Sequence, residues 1–414
     1  MSVSPSSLSV VSVSHLSYQL DPYPMYAQLR EGDLLKWDAT CAAWIASRAE
    51  AVHAVLQNSD CVVRPSHEQV PKAIQGSAAG TLFAQLIRMN EGSTHQALKS
   101  VLSQVLSDVD SSEFGNNAQA LLDDQSVANM CKADDGAQLT QWMMQVPIRC
   151  MAMLLGFDRE SSALMATDIA EFVACLSPLS SAQQLLAASD AAQSLTTRMR
   201  EHIAAHQDHR FTLGFQKLCD ADQQISPESR IANLVGLLSQ TYEATAGLLG
   251  NCLVQLHQRP SWRADLASEA WECFAWRRAF VEEVARFDPS IHSTRRFAKR
   301  DCQVLGQKVC EGDLILLLLA AANRDTHAER KDGDGGDEFN PLLDVETTQW
   351  GFSAGRHRCP GQSLAITIVV EAVSYVIDHW KELDWQKLQY HYLPSLNARI
   401  PVFTQKAGAS IAQM

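Results

Sequence analysis

The run Gly351-Phe352-Ser353-Ala354-Gly355-Arg356-His357-Arg358-Cys359-Pro360-Gly361 puts one cysteine behind two arginines and a histidine and ahead of a proline. Neighbouring cations and a helix N-terminus both favour the thiolate over the thiol. A thiolate is a nucleophile or a metal ligand. Pro360 suits the first helical position, because the N–H it lacks would have no helical partner there. Cys359 is therefore expected at the start of a helix with a lowered pKa. An ordinary loop that happens to hold a cysteine explains the run equally well.

Two other groupings could do chemistry. Glu283 and Arg286, three apart, face each other on one side of a helix. As a surface pair they contribute about 0.3 kcal/mol; buried, they are something else. Gln240-Thr241-Tyr242-Glu243-Ala244-Thr245 interrupts a long apolar helical pattern with polar side chains. Polar groups inside a buried helix cost free energy unless something uses them. A solvated turn or a structural hydrogen-bond site would also account for this stretch.

The elements that must position these groups are mostly helices. Expected helices are Met25–Arg30, Ala49–Gln57, Thr81–Leu106 (broken at Asn90–Ser93, with Ser93 or Thr94 as N-cap), Leu139–Leu155, Asp158–Cys175, Ser181–Gln207, Phe211–Leu218, Pro227–Gln258, Ser268–Phe287 and Leu364–Trp380. The longest opens with Ser226-Pro227-Glu228, a capping residue followed by a first-position proline. Its Ile231, Leu234, Leu238, Leu249 and Leu253 suit a central, buried helix. A hairpin is expected at Leu35–Ala46, with short strands at Arg296–Ala298, Cys302–Leu305 and Leu314–Leu319, and a strand–turn–strand from Tyr392 to Thr404. Cys61–Ala79 reads as a long loop, and Lys331–Asp337 as a flexible surface insertion whose spacing fails as a calcium loop. Residues 1–20 read as a loose tail ahead of a single domain over 21–414.

Composition narrows the function. The net charge of −13 argues against non-specific nucleic-acid binding, which needs a basic surface. The cysteines number eleven, are scattered and form no Cys-x-x-Cys. That disfavours a disulfide framework or a structural zinc site and suits a reducing cytoplasm. No apolar run has membrane-spanning length, and there is no Walker loop or Gly-x-Gly-x-x-Gly.

Together these features resemble a cytochrome P450 of the soluble bacterial type, over nearly the whole chain. Phe352–Gly361 is similar to the family's haem loop, Phe-x-x-Gly-x-[His/Arg]-x-Cys-x-Gly. Glu283–Arg286 resembles its Glu-x-x-Arg motif. Ala321-Ala322-Asn323-Arg324-Asp325 and Phe339-Asn340-Pro341 resemble the segments that follow. The resemblance implies a mainly α fold with a small β portion and haem b (iron protoporphyrin IX) between the long central helix and the Cys-loop helix. Cys359 would be the axial thiolate, and Phe352 and Gly361 would also bind the haem. Arg296, His357, His95 and Lys99 would meet the propionates, Lys99 standing where the family has Arg. Glu283 and Arg286 would be structural.

The implied activity is a monooxygenase-type oxidoreductase. It would act on a small organic molecule, such as a secondary-metabolite intermediate, with O₂ and electrons from a ferredoxin and its reductase. The chain would be a cytoplasmic monomer without membrane or nucleic-acid partners. Arg356 and Arg358 would form an electron-donor docking patch or contact the propionates. Gln240, Tyr242, Ile291, His292 and Leu396 would line the substrate pocket. Two departures stand out: Ser353 replaces a usual glycine, and Ala244 replaces the hydroxyl after the helix acid. Protons would pass by way of Glu243 and water, with Thr245, Thr241, ordered water or a hydroxyl or amine on the substrate in place of the missing alcohol. Peroxide use, coupling or cyclisation, and a non-catalytic haem or ligand carrier are the alternatives.

Overall fold

A computed structural model describes residues 13–128, 130, 136–177, 179–267, 274–325, 336–342, 349–380 and 383–405. Of the expected surface insertion, only Gly336 and Asp337 fall within these, and residues 1–12 fall outside them. The helices are α1 (Tyr23–Arg30), α2 (Ala49–Gln57), α3 (Ala78–Gln85), α4 (Gly92–Ser107), α5 (Ser111–Leu122), α6 (Gln125–Ala128), α7 (Gly136–Leu154), α8 (Arg159–Ala174), α9 (Ala182–Ala205), α10 (Arg210–Asp220), α11 (Pro227–Gln258), α12 (Pro260–Leu266), α13 (Phe274–Phe287), α14 (Leu319–Asn323) and α15 (Gln362–His379). No helix among the described residues is long and apolar enough to cross a membrane.

The central helix has the expected bounds. Ser226 caps it by accepting from Ser229 N, and it packs on α7, α8, α9, α13 and α15. Close packing demands small residues at its far end. A Cβ on Gly250 would lie 2.5 Å from both the Met143 sulfur and the Pro401 ring. Strands β1 (Lys36–Asp38), β2 (Ala43–Ala46), β3 (Cys61–Val62), β4 (Ser293–Ala298), β5 (Cys302–Val304), β6 (Gln307–Val309), β7 (Leu314–Leu318), β8 (Leu388–Tyr392) and β9 (Pro401–Gln405) complete the fold. The main sheet has the order β1-β2-β7-β4-β3, with β2 and β7 parallel and the other pairs antiparallel. Arg296 pairs with Ile315 in it, so the register of β4 on β7 sets where that arginine stands.

Several expectations need correction. Residues from Val13 are not loose: Val13–Tyr18 is a 3₁₀ turn with Leu16 buried, and the Arg399 guanidinium donates to the carbonyls of Ser17, Gln19 and Leu20. Helix α4 is not capped by Ser93 or Thr94. Glu91 stands at its N-cap position without a side-chain cap bond, because its carboxylate is held by Arg356 and His357. The reading missed α5, although Asp110 caps it through Ser112 N and Glu113 N. Pro360 precedes the helix rather than opening it: Gly361 is the cap residue and α15 begins at Gln362.

Glu283 and Arg286 are 9% and 2% exposed, so they are not a surface pair. Arg286 donates to both carboxylate oxygens at 2.7 Å. It also donates to the carbonyls of Gly336 (2.7 Å) and Glu338 (2.8 Å), and Glu283 accepts from Asn340 N (2.8 Å). The Asn-Arg-Asp run extends this scaffold. Asn323 donates to the Arg286 carbonyl (3.0 Å) and accepts from Trp350 N (2.7 Å), which ties the end of α13 to the cysteine loop. Arg324 donates twice to the Phe287 carbonyl (2.9 and 2.7 Å), satisfying an orphan group of the helix end. Asp325 accepts from Ala49 N at the start of α2 (2.8 Å).

The loop itself turns sharply at Ser353. Its φ of 60° and ψ of −177° lie in a region that is essentially glycine's alone. Such a residue stores roughly 1–3 kcal/mol. Its buried hydroxyl has no hydrogen-bond partner among the described residues.

Two outcomes follow. Glu283→Gln leaves Arg286 buried without its counter-charge and is expected to cost about 3–5 kcal/mol in chemical denaturation; a loss under 1 kcal/mol contradicts the pair's structural role. Ser353→Gly relieves the strain but adds chain entropy to the unfolded state, for a net gain of about 1 kcal/mol. A lower thermal midpoint in that variant would show the turn is not strained.

Candidate functional site

A cavity of about 570 Å³ lies between the middle of α11 and the cysteine loop. One wall carries Gln240, Thr241, Glu243, Ala244 and Thr245; the opposite wall carries Phe352, Cys359, Gly361 and Ala365. Its edge is formed by His95, Lys99, Arg296 and His357, with Ile291 and Leu396 along another side. Most of the residues singled out from the sequence thus meet in one space.

Two do not line it. Tyr242 packs half-buried against the helical core on another face of α11, because adjacent helical positions point about 100° apart. His292 is fully buried in a separate polar cluster. There its Nδ1 is 3.0 Å from the Tyr26 hydroxyl and its Nε2 is 3.6 Å from Asp288. Asp288 also accepts from the Tyr23 hydroxyl (2.5 Å) and pairs with Arg399 (2.9 Å). His292 lies between the Ile291–Ala398 bridge and the start of β4, and its ring is held in this cluster while its neighbour Ile291 lines the cavity.

The Cys359 backbone is fixed by a hydrogen bond from its N–H to the Phe352 carbonyl (2.8 Å). Its thiol is pushed up, not down as expected. Burial outweighs the Gly361 backbone hydrogen bond and the fields of Lys99 and Arg358. A coordinated metal would reverse that balance, since a ligating thiol loses its proton outright. At Gly361 a Cβ would meet nothing within 4 Å, so the space beside the cysteine is open.

The basic edge divides into two sets. Arg356 is spent on structure: it pairs with Glu91 (2.9 Å) and donates to the carbonyls of Asn58 (3.2 Å) and Cys61 (2.6 Å). It is free neither for propionates nor for a docking partner, whereas Arg358 is exposed. His357 Nε2 is 3.1 Å from Glu91, and the His95 and His357 rings lie 4.4 Å apart. Burial, reinforced by His357, pulls His95 down to about 4. Burial raises Glu91, but hydrogen bonds from His357 and Arg356 win and hold it at about 2. Glu91 is a positioning residue that the sequence reading missed; the available signal was an acid four residues before His95.

Arg296 has the opposite character. It is 4% exposed, and its Nη1 reaches only the Arg295 carbonyl (2.8 Å) and Thr294 hydroxyl (3.4 Å). Its Nε has no partner, and no carboxylate contacts it, among the described residues. Burial draws it down to about 10. Lys99 donates its ammonium to the Arg358 carbonyl. A buried cation without a counter-ion among the described residues, lining the same cavity as Cys359, fits a haem whose acidic side groups would supply the missing charge.

No protein-family model matches the chain. It is 23% identical over 393 residues to "Putative cytochrome P450 133B2" of Xylella fastidiosa, covering 91% of this chain and 93% of that one. It is 25% identical to "Cytochrome P450 BJ-3" of Bradyrhizobium diazoefficiens, covering 85% of each. Its fold superimposes on the solved structure of epothilone B-bound cytochrome P450epoK with a TM-score of 0.73 at 17% identity, covering 93% of this chain and 96% of that one. With Cys359 and the middle of the central helix lining one cavity, the chain has the fold of bacterial cytochrome P450s and is similar to them in sequence over nearly its whole length.

Proposed function

We propose that the chain is a monooxygenase-type enzyme that oxidises a small secondary-metabolite intermediate using haem b, O₂ and electrons from a ferredoxin and its reductase. The observation that carries this reading is the opposition of Cys359 to Glu243, Ala244 and Thr245 across one cavity. When bound, haem supplies O₂ reduction and the oxidising equivalent. Cys359 would hold its iron, and Arg296, His95, His357 and Lys99 would neutralise its propionates. Ferredoxin dependence is supported by the lack of any flavin or nicotinamide motif, and exposed Arg358 beside the cysteine suits an acidic donor.

Glu243 is the acid on the α11 wall. Burial pushes its carboxyl up, and the field of Arg88 pulls it partly back. The Thr241 hydroxyl donates to the Leu237 carbonyl (2.8 Å). Thr245 lines the cavity one position beyond Ala244, where it can pass a proton by way of water. Ala244 itself contributes no hydroxyl. That substitution favours a second reading, in which peroxide is used directly or the product is a coupled or cyclised molecule.

The reduced, CO-treated holoprotein is expected to show the red-shifted Soret band of thiolate ligation, and Cys359→Ala to abolish it. A band that persists in the variant overturns the axial assignment. Product formed with peroxide alone, at a rate ferredoxin does not raise, selects the second reading.

A further inference from the structure

The charges around the cavity do not balance. Its lining carries Arg64, Arg88, Lys99, Arg295 and Arg296 against Glu243 alone, in a chain whose net charge is −13. Lys99 and Arg296 are at the end where the propionates belong. Arg64, Arg88 and Arg295 remain, and nothing in the haem reading uses them.

Arg88 is the most telling. It sits in a short 3₁₀ turn, Ile87–Met89, between α3 and α4. That turn is pinned to the central helix by one side chain: Asn233 accepts from Ile87 N (2.9 Å) and donates to the Gln85 carbonyl (2.8 Å). The backbone that carries Arg88 is therefore held against α11. Its Nε is buried without a partner, and its guanidinium makes no hydrogen bond or ion pair among the described residues. Burial weakens its hold on its proton, and Glu243 only partly compensates, through space and without contact. An unpaired guanidinium is costly in such a place unless an anion arrives to meet it. Arg64 and Arg295 lie close enough to repel each other. Arg295 is exposed, and Arg64 packs over the Phe83 ring (5.3 Å) with only Glu68 nearby (3.5 Å). They place positive potential at the cavity's outer part, which raises the local concentration of anions.

We infer that the substrate is a carboxylate whose apolar body occupies the part of the cavity that the haem would leave free, with Arg88 receiving the carboxylate and Arg64 and Arg295 drawing it in. The planar fork of arginine matches a carboxylate in two-point contact. The apolar lining contributed by Phe83, Ile87, Leu237 and Leu248 suits the remainder of such a molecule. This assignment deepens the proposed function and rests on it.

The test uses the haem-loaded protein and four acids of different shape (indole-3-acetate, 4-phenylbutanoate, decanoate and dodecanoate), each paired with its primary amide. Binding is read from the Soret shift and from calorimetry. At least one acid is expected to bind about tenfold or more tightly than its amide, the range of a charge-assisted hydrogen bond. Arg88→Gln should bring that ratio to within about twofold without changing amide binding, and Arg88→Lys should restore part of it. No acid outbinding its amide, or a preference that survives Arg88→Gln, overturns the inference. The reduced-CO spectrum of the same samples separates the two readings. A missing thiolate band rejects the haem-thiolate proposal, whereas a normal band without acid preference rejects only the role of Arg88.

Discussion

A buried guanidinium with no counter-ion is the constraint from which the site is best understood. Arg296 is 4% exposed on a central strand and finds only neutral oxygens. The obvious candidate to neutralise it, Glu91, is already engaged by Arg356 and His357. Among the described residues nothing repays the desolvation of that charge. In the proposed function the acidic groups of a haem would repay it, and haem binding would then be linked to the stability of the fold.

The scaffold around this charge is built by backbone carbonyls being claimed by specific side chains. Arg286, Asn323 and Arg324 satisfy groups at the end of α13 and in the segment before the cysteine loop. Asn323 and Gln349 bind the loop to that helix, with Gln349 donating to the Glu282 carbonyl (3.0 Å). The strained turn at Ser353 is held in place by these contacts, as its N–H reaches the Trp350 carbonyl (2.7 Å). Local strain persists only where the surroundings over-determine it. Cys359 is therefore presented to the cavity by a frame that does not depend on its own bonding.

Much of this was legible in the sequence where a local signal was strong. The bounds of α11 followed from its cap, its first-position proline and its apolar period. The haem loop, Glu283/Arg286 and the Asn323–Asp325 run carried enough fixed positions to be recognised. What escaped depended on three-dimensional competition. Whether a cation lowers the Cys359 pKa was decided by burial, which no spacing reports. Whether Arg356 faces a ligand was decided by Glu91, some 265 positions away in the chain. Tyr242 and His292 are near the site in sequence but lie outside it, the first because a helix turns successive side chains apart and the second because Tyr26 and Asp288 hold its ring. No local signal singles out Arg88; its place is set by Asn233, which pins its turn to α11.

The most direct measurement compares the thermal stability of Arg296→Gln with that of the native protein, both without haem and loaded with it. If Arg296 is held for the haem's anionic groups, the substitution removes an unpaired buried charge from the apoprotein and a paired one from the holoprotein. The unfolding midpoint should then stay level or rise without haem and fall with it. A substitution that lowers both midpoints equally would mean the guanidinium serves the fold alone, and would contradict the account.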